Sequence, residues 1–203
     1  MRPEPVTGLI LAGGRGSRLG GADKGLVEWH GRPLVAHVIE RLAPQIASLA
    51  ISANRNRERY QAFCNLVVAD RLDDFAGPLA GLQAGLAACT TPLLATVPCD
   101  APRLPLDLIA RLGKALADDT AVAVATTADG LQPTFLLCRR SVAPALDDWL
   151  ADGGRKVADW LQAMNAAVVP FEDAAAFVNF NTPADLAWAA GAGGRGSPTS
   201  PRP

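Results

Sequence analysis

The sequence predicts an α/β protein, a single three-layer αβα domain on a mostly parallel, doubly wound sheet. Three observations predict it. Short apolar runs alternate with segments of helical spacing along the chain. Runs such as Val6 to Leu11 and Pro92 to Val97 are apolar or small throughout, as strands buried on both faces are. Glycine-rich and acidic residues fall directly after those runs, where open α/β sheets bind ligands.

In order, Val6 to Leu11 reads as the first strand and runs into a glycine-rich loop. Gly25 to Trp29 reads as a short extended piece ending in a turn at His30-Gly31-Arg32-Pro33. Pro33 to Leu42 has helical spacing, with Leu34, Val38, Ile39 and Leu42 on one face, and Pro44 stops it. Leu49 to Ala53 is a second strand; Arg55, Arg57 and Arg59 follow, read as a solvated helix face or a phosphate contact. Leu66 to Ala69 is a third strand, with Asp70 at its carboxyl end and a loop from Arg71 to Pro78. Gly77-Pro78-Leu79-Ala80-Gly81 opens a helix to about Cys89, whose small residues suit close packing on a sheet. Pro92 to Val97 is the central strand, ending in Pro98-Cys99-Asp100-Ala101-Pro102. Helices are expected over Pro105 to Leu116, Val142 to Leu150 and Lys156 to Leu161. Strands are expected over Val122 to Thr126, Thr134 to Cys138 and Ala167 to Phe171. Phe177 to Asn181 reads as extended, and Thr182-Pro183-Ala184-Asp185 as a capped helix start. The domain is placed at residues 1–190, and residues 191–203 are expected to be a disordered tail.

At 203 residues and 49% hydrophobic composition the chain is long enough for a sizeable core. A net charge of −1 gives no global attraction for nucleic acid or membranes, so any affinity for phosphate is local. No apolar run reaches spanning length and the first residues lack a signal core, so a cytoplasmic protein is expected. Cys64, Cys89, Cys99 and Cys138 lie far apart, which argues against a zinc ribbon or disulfide framework and for reduced, mostly buried thiols. A monomer is expected.

Gly13, Gly14, Gly16, Gly20 and Gly21, interleaved with Arg15, Arg18 and Lys24, make the loop after the first strand a phosphate site. The dinucleotide fingerprint fails by one place at Gly20, and the P-loop fails because Lys24 is followed by Gly25. N–H groups from Ala12 to Gly16 are expected to hold phosphate oxygens, with Arg18 and Lys24 neutralising charge. The strand-end rule gathers this loop with Ser52, Asn54, Asp70 and Asp100.

Leu11-Ala12-Gly13-Gly14, then Arg18, Gly20-Gly21 and Asp23-Lys24-Gly25-Leu26, resembles the signature of the nucleotidyltransferases, and most closely the molybdenum cofactor guanylyltransferases. The Ala-Gly-Gly form favours these over their cytidylyl relatives, and Gly77-Pro78-Leu79-Ala80-Gly81 and Asn179-Phe180-Asn181-Thr182-Pro183 extend the likeness. The resemblance implies a Rossmann-like nucleotidyltransferase sheet and transfer of GMP from GTP to the terminal phosphate of molybdopterin, with release of pyrophosphate. It implies nucleotide contacts at Leu11, Ala12, Gly13, Gly14, Lys24, Ser52 or Asn54, Asp70 and Asp100, and catalytic roles for Arg18 and Lys24. Asp100 is the candidate ligand of Mg2+, or else a helix cap. Asp70 is a candidate for the guanine N–H donors, a ribose contact, or a turn residue. Gln132, Arg155, Lys156, Asn179 and Asn181 match the acceptor-binding region weakly. Proteins of molybdoenzyme maturation are possible further partners. The alternatives are a related cytidylyltransferase, acting on the same cofactor or on a sugar or isoprenoid phosphate, and a non-catalytic nucleotide-binding protein.

Overall fold

The computed structural model describes residues 4–13, 23–70, 77–117, 119–180 and 185. The strands are β1 (Val6–Leu11), β2 (Glu28–Trp29), β3 (Arg32–Pro33), β4 (Ser48–Ser52), β5 (Val67–Val68), β6 (Leu93–Pro98), β7 (Val122–Thr127), β8 (Gly130–Arg139) and β9 (Ala167–Pro170). The α-helices are α1 (Leu34–Leu42), α2 (Arg57–Gln61), α3 (Pro78–Ala88), α4 (Leu108–Lys114), α5 (Ala143–Ala151) and α6 (Val157–Ala163). Among the described residues no helix is long and apolar enough to cross a membrane.

Seven strands form one sheet in the order β5-β4-β1-β6-β8-β7-β9, and β2 and β3 pair apart from it. All neighbours in the large sheet are parallel except β8, which runs antiparallel to β6 and β7. The chain order reverses at β1, which lies between β4 and β6. Such a switch point leaves a crevice beyond the strands' carboxyl ends.

The side-chain period of a strand splits the core into two layers. Ile10, Leu93, Ala95 and Val97 pack with Val35, Val38 and Leu42 of α1 and Leu108 and Leu112 of α4. Leu9 and Leu94 point the other way, to Leu79, Leu82 and Leu86 of α3 and to Leu146, Leu150 and Trp160. The small residues of α3 let it lie directly on β1. A Cβ added to Gly81 would sit 2.8 Å from Ser52 Oγ and 2.9 Å from Leu11 Cδ2, and one added to Gly85 would sit 2.5 Å from Leu9 Cδ2.

Three expectations are corrected by packing or turn chemistry, and the expected turn at His30-Gly31 is present. Gly25 to Trp29 is not one extended piece, because Lys24–Leu26 form a 3-10 turn before β2. The β2–β3 turn places both His30 (φ 49°) and Gly31 (φ 72°) in the left-handed region, the type I′ pattern of a tight hairpin. The helix expected from Pro105 starts only at Leu108, where Gln45 Oε1 accepts the Ile109 N–H at 3.1 Å. Phe177, expected to begin an extended stretch, instead ends a 3-10 turn, while Val178 is extended as expected. The turn, Ala174–Phe177, is started by the Asp173 carboxylate on the Ala175 N–H, and Val178 to Phe180 follow outside the named strands.

Pro133 made the sequence break the strand before Thr134, yet β8 begins at Gly130. Ala125 pairs with Gln132 and Val124 with Leu136, so Pro133, Thr134 and Phe135 bulge from the ladder. Thr96 Oγ1 donates to the Thr134 carbonyl at 2.7 Å and fixes the bulge over the end of β6. Thr182, Pro183, Trp188 and residues 191–203 lie outside the described residues.

Close approach at Gly85 predicts an inversion of the usual helix preference. At an exposed helix position Gly→Ala stabilises by about 1 kcal/mol. Gly85→Ala is expected to destabilise by about 1–3 kcal/mol through overpacking against Leu9, read from the midpoint of chemical unfolding.

Candidate active site

The site is laid out by strand register. Leu11 of β1 is opposite Ser52 of β4 and Pro98 of β6, and Ser52 is opposite Val68 of β5. Gly13, Asn54, Asp70 and Asp100 each stand two residues beyond that line. Four segments distant in the chain therefore converge at one end of the sheet, as the strand-end rule requires.

On one side Asn54 Nδ2 donates to Asp70 Oδ2 at 2.7 Å, and the Asp70 N–H donates to Asn54 Oδ1 at 2.9 Å. This reciprocal pair borders Gly13, where a Cβ would lie 3.4 Å from Asn54 Nδ2 and 3.9 Å from Asp70 Oδ2. Among the described residues Asp70 Oδ1 is buried with no hydrogen-bond partner. A buried carboxylate oxygen left open at a strand end is suited to a donor from a ligand.

Ser52 stands differently. It is 1% exposed, with its hydroxyl against Gly81 of α3. Its carbonyl accepts the Ala12 N–H at 2.8 Å, so the first of the N–H groups expected to face phosphate is spent on the ladder. Gly14, Arg15, Arg18 and Asn181 lie outside the described residues.

On the other side Lys24 Nζ lies 3.3 Å from Asp100 Oδ2, with the Lys24 side chain 27% and that of Asp100 7% exposed. Burial raises the Asp100 pKa above its ordinary 3.8, and the Lys24 charge pulls it partly back. Burial, with Asp100 and Asp23 adding to it, pushes the neighbouring Cys99 thiol well up. Cys99 is thus a neutral packing group rather than a nucleophile.

The model of the family described as "MobA-like NTP transferase domain" matches residues 8–168. The molybdenum cofactor guanylyltransferase of Bordetella petrii is 50% identical over 186 residues, covering 89% of this chain and 95% of that one. The enzyme of the same name from Cupriavidus necator is 49% identical over 185 residues, covering 88% and 93%. The chain belongs to the molybdenum cofactor guanylyltransferases of the MobA-like NTP transferase family. The crystal structure of molybdopterin-guanine dinucleotide biosynthesis protein A from Archaeoglobus fulgidus has the same fold, with a TM-score of 0.73 at 22% identity, covering 90% of this chain and 96% of that one.

In this guanylyltransferase the side chains expected to bind the acceptor are partly committed locally. Gln132 Nε2 reaches Thr127 Oγ1 at 3.2 Å and the Gly130 carbonyl at 3.4 Å, across the β7–β8 hairpin. Arg155 donates to the carbonyls of Leu150 and Gly154, both at 2.8 Å, and so closes the C-terminal end of α5. Lys156 is exposed ahead of α6, and Asn179 is exposed. Their neighbours do meet: Pro133 and Val157 line one narrow apolar crevice with Leu11, Pro78 and Thr96. Phe180 ties the C-terminal segment to the site, because its N–H donates to the Asp100 carbonyl at 2.8 Å. Its ring is buried with Leu34 and packs edge-on against Trp29.

The sequence reading missed Asn56 and Tyr60. Both bond the carboxylate of Asp23, next to Lys24: Asn56 Nδ2 donates to Oδ2 at 3.0 Å and the Tyr60 hydroxyl to Oδ1. The available signal was a lone tyrosine in a helix otherwise charged and exposed, since a buried phenol needs a partner for its hydroxyl.

Asp100 also fits the metal that the family implies. A single hard carboxylate oxygen suits Mg2+, which keeps several waters and takes its remaining ligands from phosphates. Among the described residues no group of three or more His, Cys, Asp or Glu could hold a metal.

A raised pKa means that folding favours protonated Asp100, so the ionised form lowers stability above the folded pKa and the effect fades as pH falls through it. Asp100→Asn is therefore expected to raise the thermal midpoint at neutral pH, and the difference should close as pH approaches the ordinary value of 3.8. Thermal unfolding of both chains across pH checks this.

Proposed function

We propose that this chain transfers GMP from GTP to the terminal phosphate of molybdopterin, releasing pyrophosphate. The observation that carries the reading is the convergence at the end of β1: Gly13, the Asn54–Asp70 pair and the Lys24–Asp100 pair, in a chain about half identical to enzymes of that name. An acceptor phosphate oxygen attacks the α-phosphorus of GTP, the new O–P bond forms, and the bond to the β-phosphate oxygen breaks. The acceptor is already an anion, so the protein need not remove a proton. Its work is positioning and charge neutralisation.

In this reading the loop N–H groups beyond Ala12, with Arg18, hold the triphosphate. Lys24 neutralises charge on the α-phosphate and the departing pyrophosphate. Asp100 holds Mg2+, which supplies further neutralisation of the phosphate oxygens. Asp70 Oδ1, buried and without a partner among the described residues, accepts from the N1–H and exocyclic amine of guanine, while Asn54 fixes the carboxylate through Oδ2. Asn54 rather than Ser52 is the polar side chain presented there, because Ser52 is turned against α3. Gln132, Lys156, Asn179 and Asn181 flank the acceptor, and the enzyme acts as a cytoplasmic monomer.

The test mixes pure protein, Mg2+, molybdopterin and either GTP or CTP, and follows pyrophosphate. GTP is expected to turn over and CTP is not; turnover of CTP alone would replace this reading by the cytidylyl one. Lys24→Ala and Asp100→Ala should each lower the rate by about a hundredfold or more. Asp70→Asn should lower kcat/KM for GTP by about 10–100-fold, matching the loss of a charged hydrogen bond. It should also erase the preference for GTP over ITP, which lacks the exocyclic amine. A preference kept intact would move Asp70 from the base to the ribose.

A further inference from the structure

One polar cluster is left unused by this chemistry: Asp23, Asn56 and Tyr60, running from the exposed Asn56 through a half-buried Asp23 to a buried phenol. Tyr60, the chain's single tyrosine, is fully buried on α2, and burial above all drives its phenol pKa up, so the hydroxyl stays a donor. Tyr60 and Asn56 engage one oxygen each of the Asp23 carboxylate. The Asp23 carbonyl accepts the Leu26 N–H at 3.0 Å, and this bond starts the 3-10 turn that carries Lys24. The same turn is gripped sterically. A Cβ on Gly25 would lie 2.5 Å from the Tyr60 hydroxyl and 3.1 Å from Cys99 Cβ. Lys24 leaves this clamp with its ammonium 3.3 Å from Asp100 Oδ2.

We propose that Tyr60, through Asp23, is a positioning residue that holds Lys24 on Asp100 and on the reacting phosphates, with Asn56 as the second jaw. A lysine stem has four rotatable bonds and loses much freedom when fixed. Anchoring its backbone on both sides removes part of that cost before substrate arrives, and the gain appears in the transition state, where charge on the phosphates is greatest. Asp23 itself touches no substrate in this arrangement.

The test reads Lys24 directly. The chain has three lysines, so Lys114 and Lys156 serve as internal references when amines are acetylated under limiting reagent, at one pH and without metal, and counted by mass spectrometry. In Tyr60→Phe, acetylation of Lys24 relative to the other two is expected to rise about threefold or more, as its local opening becomes easier. The kinetic arm rests on the transferase reading: kcat should fall about tenfold while KM for GTP stays within about twofold. In a Lys24→Ala chain the same substitution should lower the residual rate no further, because the two residues act as one unit.

Unchanged Lys24 acetylation would overturn the proposal. So would an equal further loss of rate in the Lys24→Ala chain, which would mark a general structural defect. Should Tyr60→Phe fail to fold, Asn56→Gly carries the same readouts. It removes only the amide, at an exposed position whose φ of 51° suits glycine. Acetylation that rises as expected in a protein whose native form releases no pyrophosphate from GTP would uphold the clamp and refute the transferase reading.

Discussion

Pairing of β1 on both of its edges is the constraint from which the rest of this structure follows. Parallel ladders fix Leu11 against Ser52 and against Pro98, and β5 continues the line through Val68. Because the strands end in step, the residues that leave them do so side by side. Gly13, Asn54, Asp70 and Asp100 need no long reach to meet; the backbone delivers them. A slip of one residue in any ladder would turn a polar strand end toward the core and an apolar residue toward the crevice. The two core layers forbid that slip, with Leu9 and Ile10, or Leu93 and Leu94, committed to opposite faces. Core packing, which carries no chemistry itself, thereby specifies the geometry of the site.

That reasoning also explains what the sequence made legible. Runs such as Val6 to Leu11 and Leu93 to Val97 announce themselves because a doubly buried strand is apolar throughout, and the residues after them are candidates by position alone. Asp70 and Asp100 were reachable in this way. Contacts made sideways were not. Whether Ser52 or Asn54 faces the crevice depends on α3 covering Ser52 through Gly81, a tertiary fact. The Pro133 bulge was hidden because proline reads as the end of a strand, while the structure keeps the strand and ejects three residues from its ladder. Arg155, which looks like a binding cation, is drawn to the bare carbonyls at the end of α5. The Asp23–Tyr60 bond joins a loop to a helix far along the chain, and no local periodicity reports it.

Asp100 shows the tension between stability and chemistry that such a site creates. It lies at a packed strand end, 5% exposed, and desolvation outweighs the help of Lys24. A buried ion pair of this kind seldom repays the loss of hydration. An apolar residue there would suit the core better, and Cys99 and Ala101 beside it are buried without difficulty. The proposed function gives the carboxylate a reason, in positive charge brought to it beyond that of Lys24. In the proposed reaction a divalent cation would supply it, and the same low-dielectric surroundings that disfavour the bare carboxylate would then strengthen its hold on that cation. Instability of the unliganded site and its capacity for binding arise from one cause.

The glycine-rich stretch poses the converse problem. Glycine brings the backbone close to phosphate, but it surrenders more conformational entropy on ordering than any other residue. A segment with glycines at 14, 16, 20 and 21 is costly to fix, and the cost must be limited outside the segment. Its two ends are where this is done. The Ala12 N–H extends the ladder onto the Ser52 carbonyl at one end, and Asp23 is held by Asn56 and Tyr60 at the other. Fixing both ends means that the cost of bringing Gly13 and Asp23 to a set separation is met by the folding of the core. In the proposed reaction the Ala12 N–H would thus contribute by forgoing phosphate, because the bond it spends on the Ser52 carbonyl fixes the point at which the chain leaves β1.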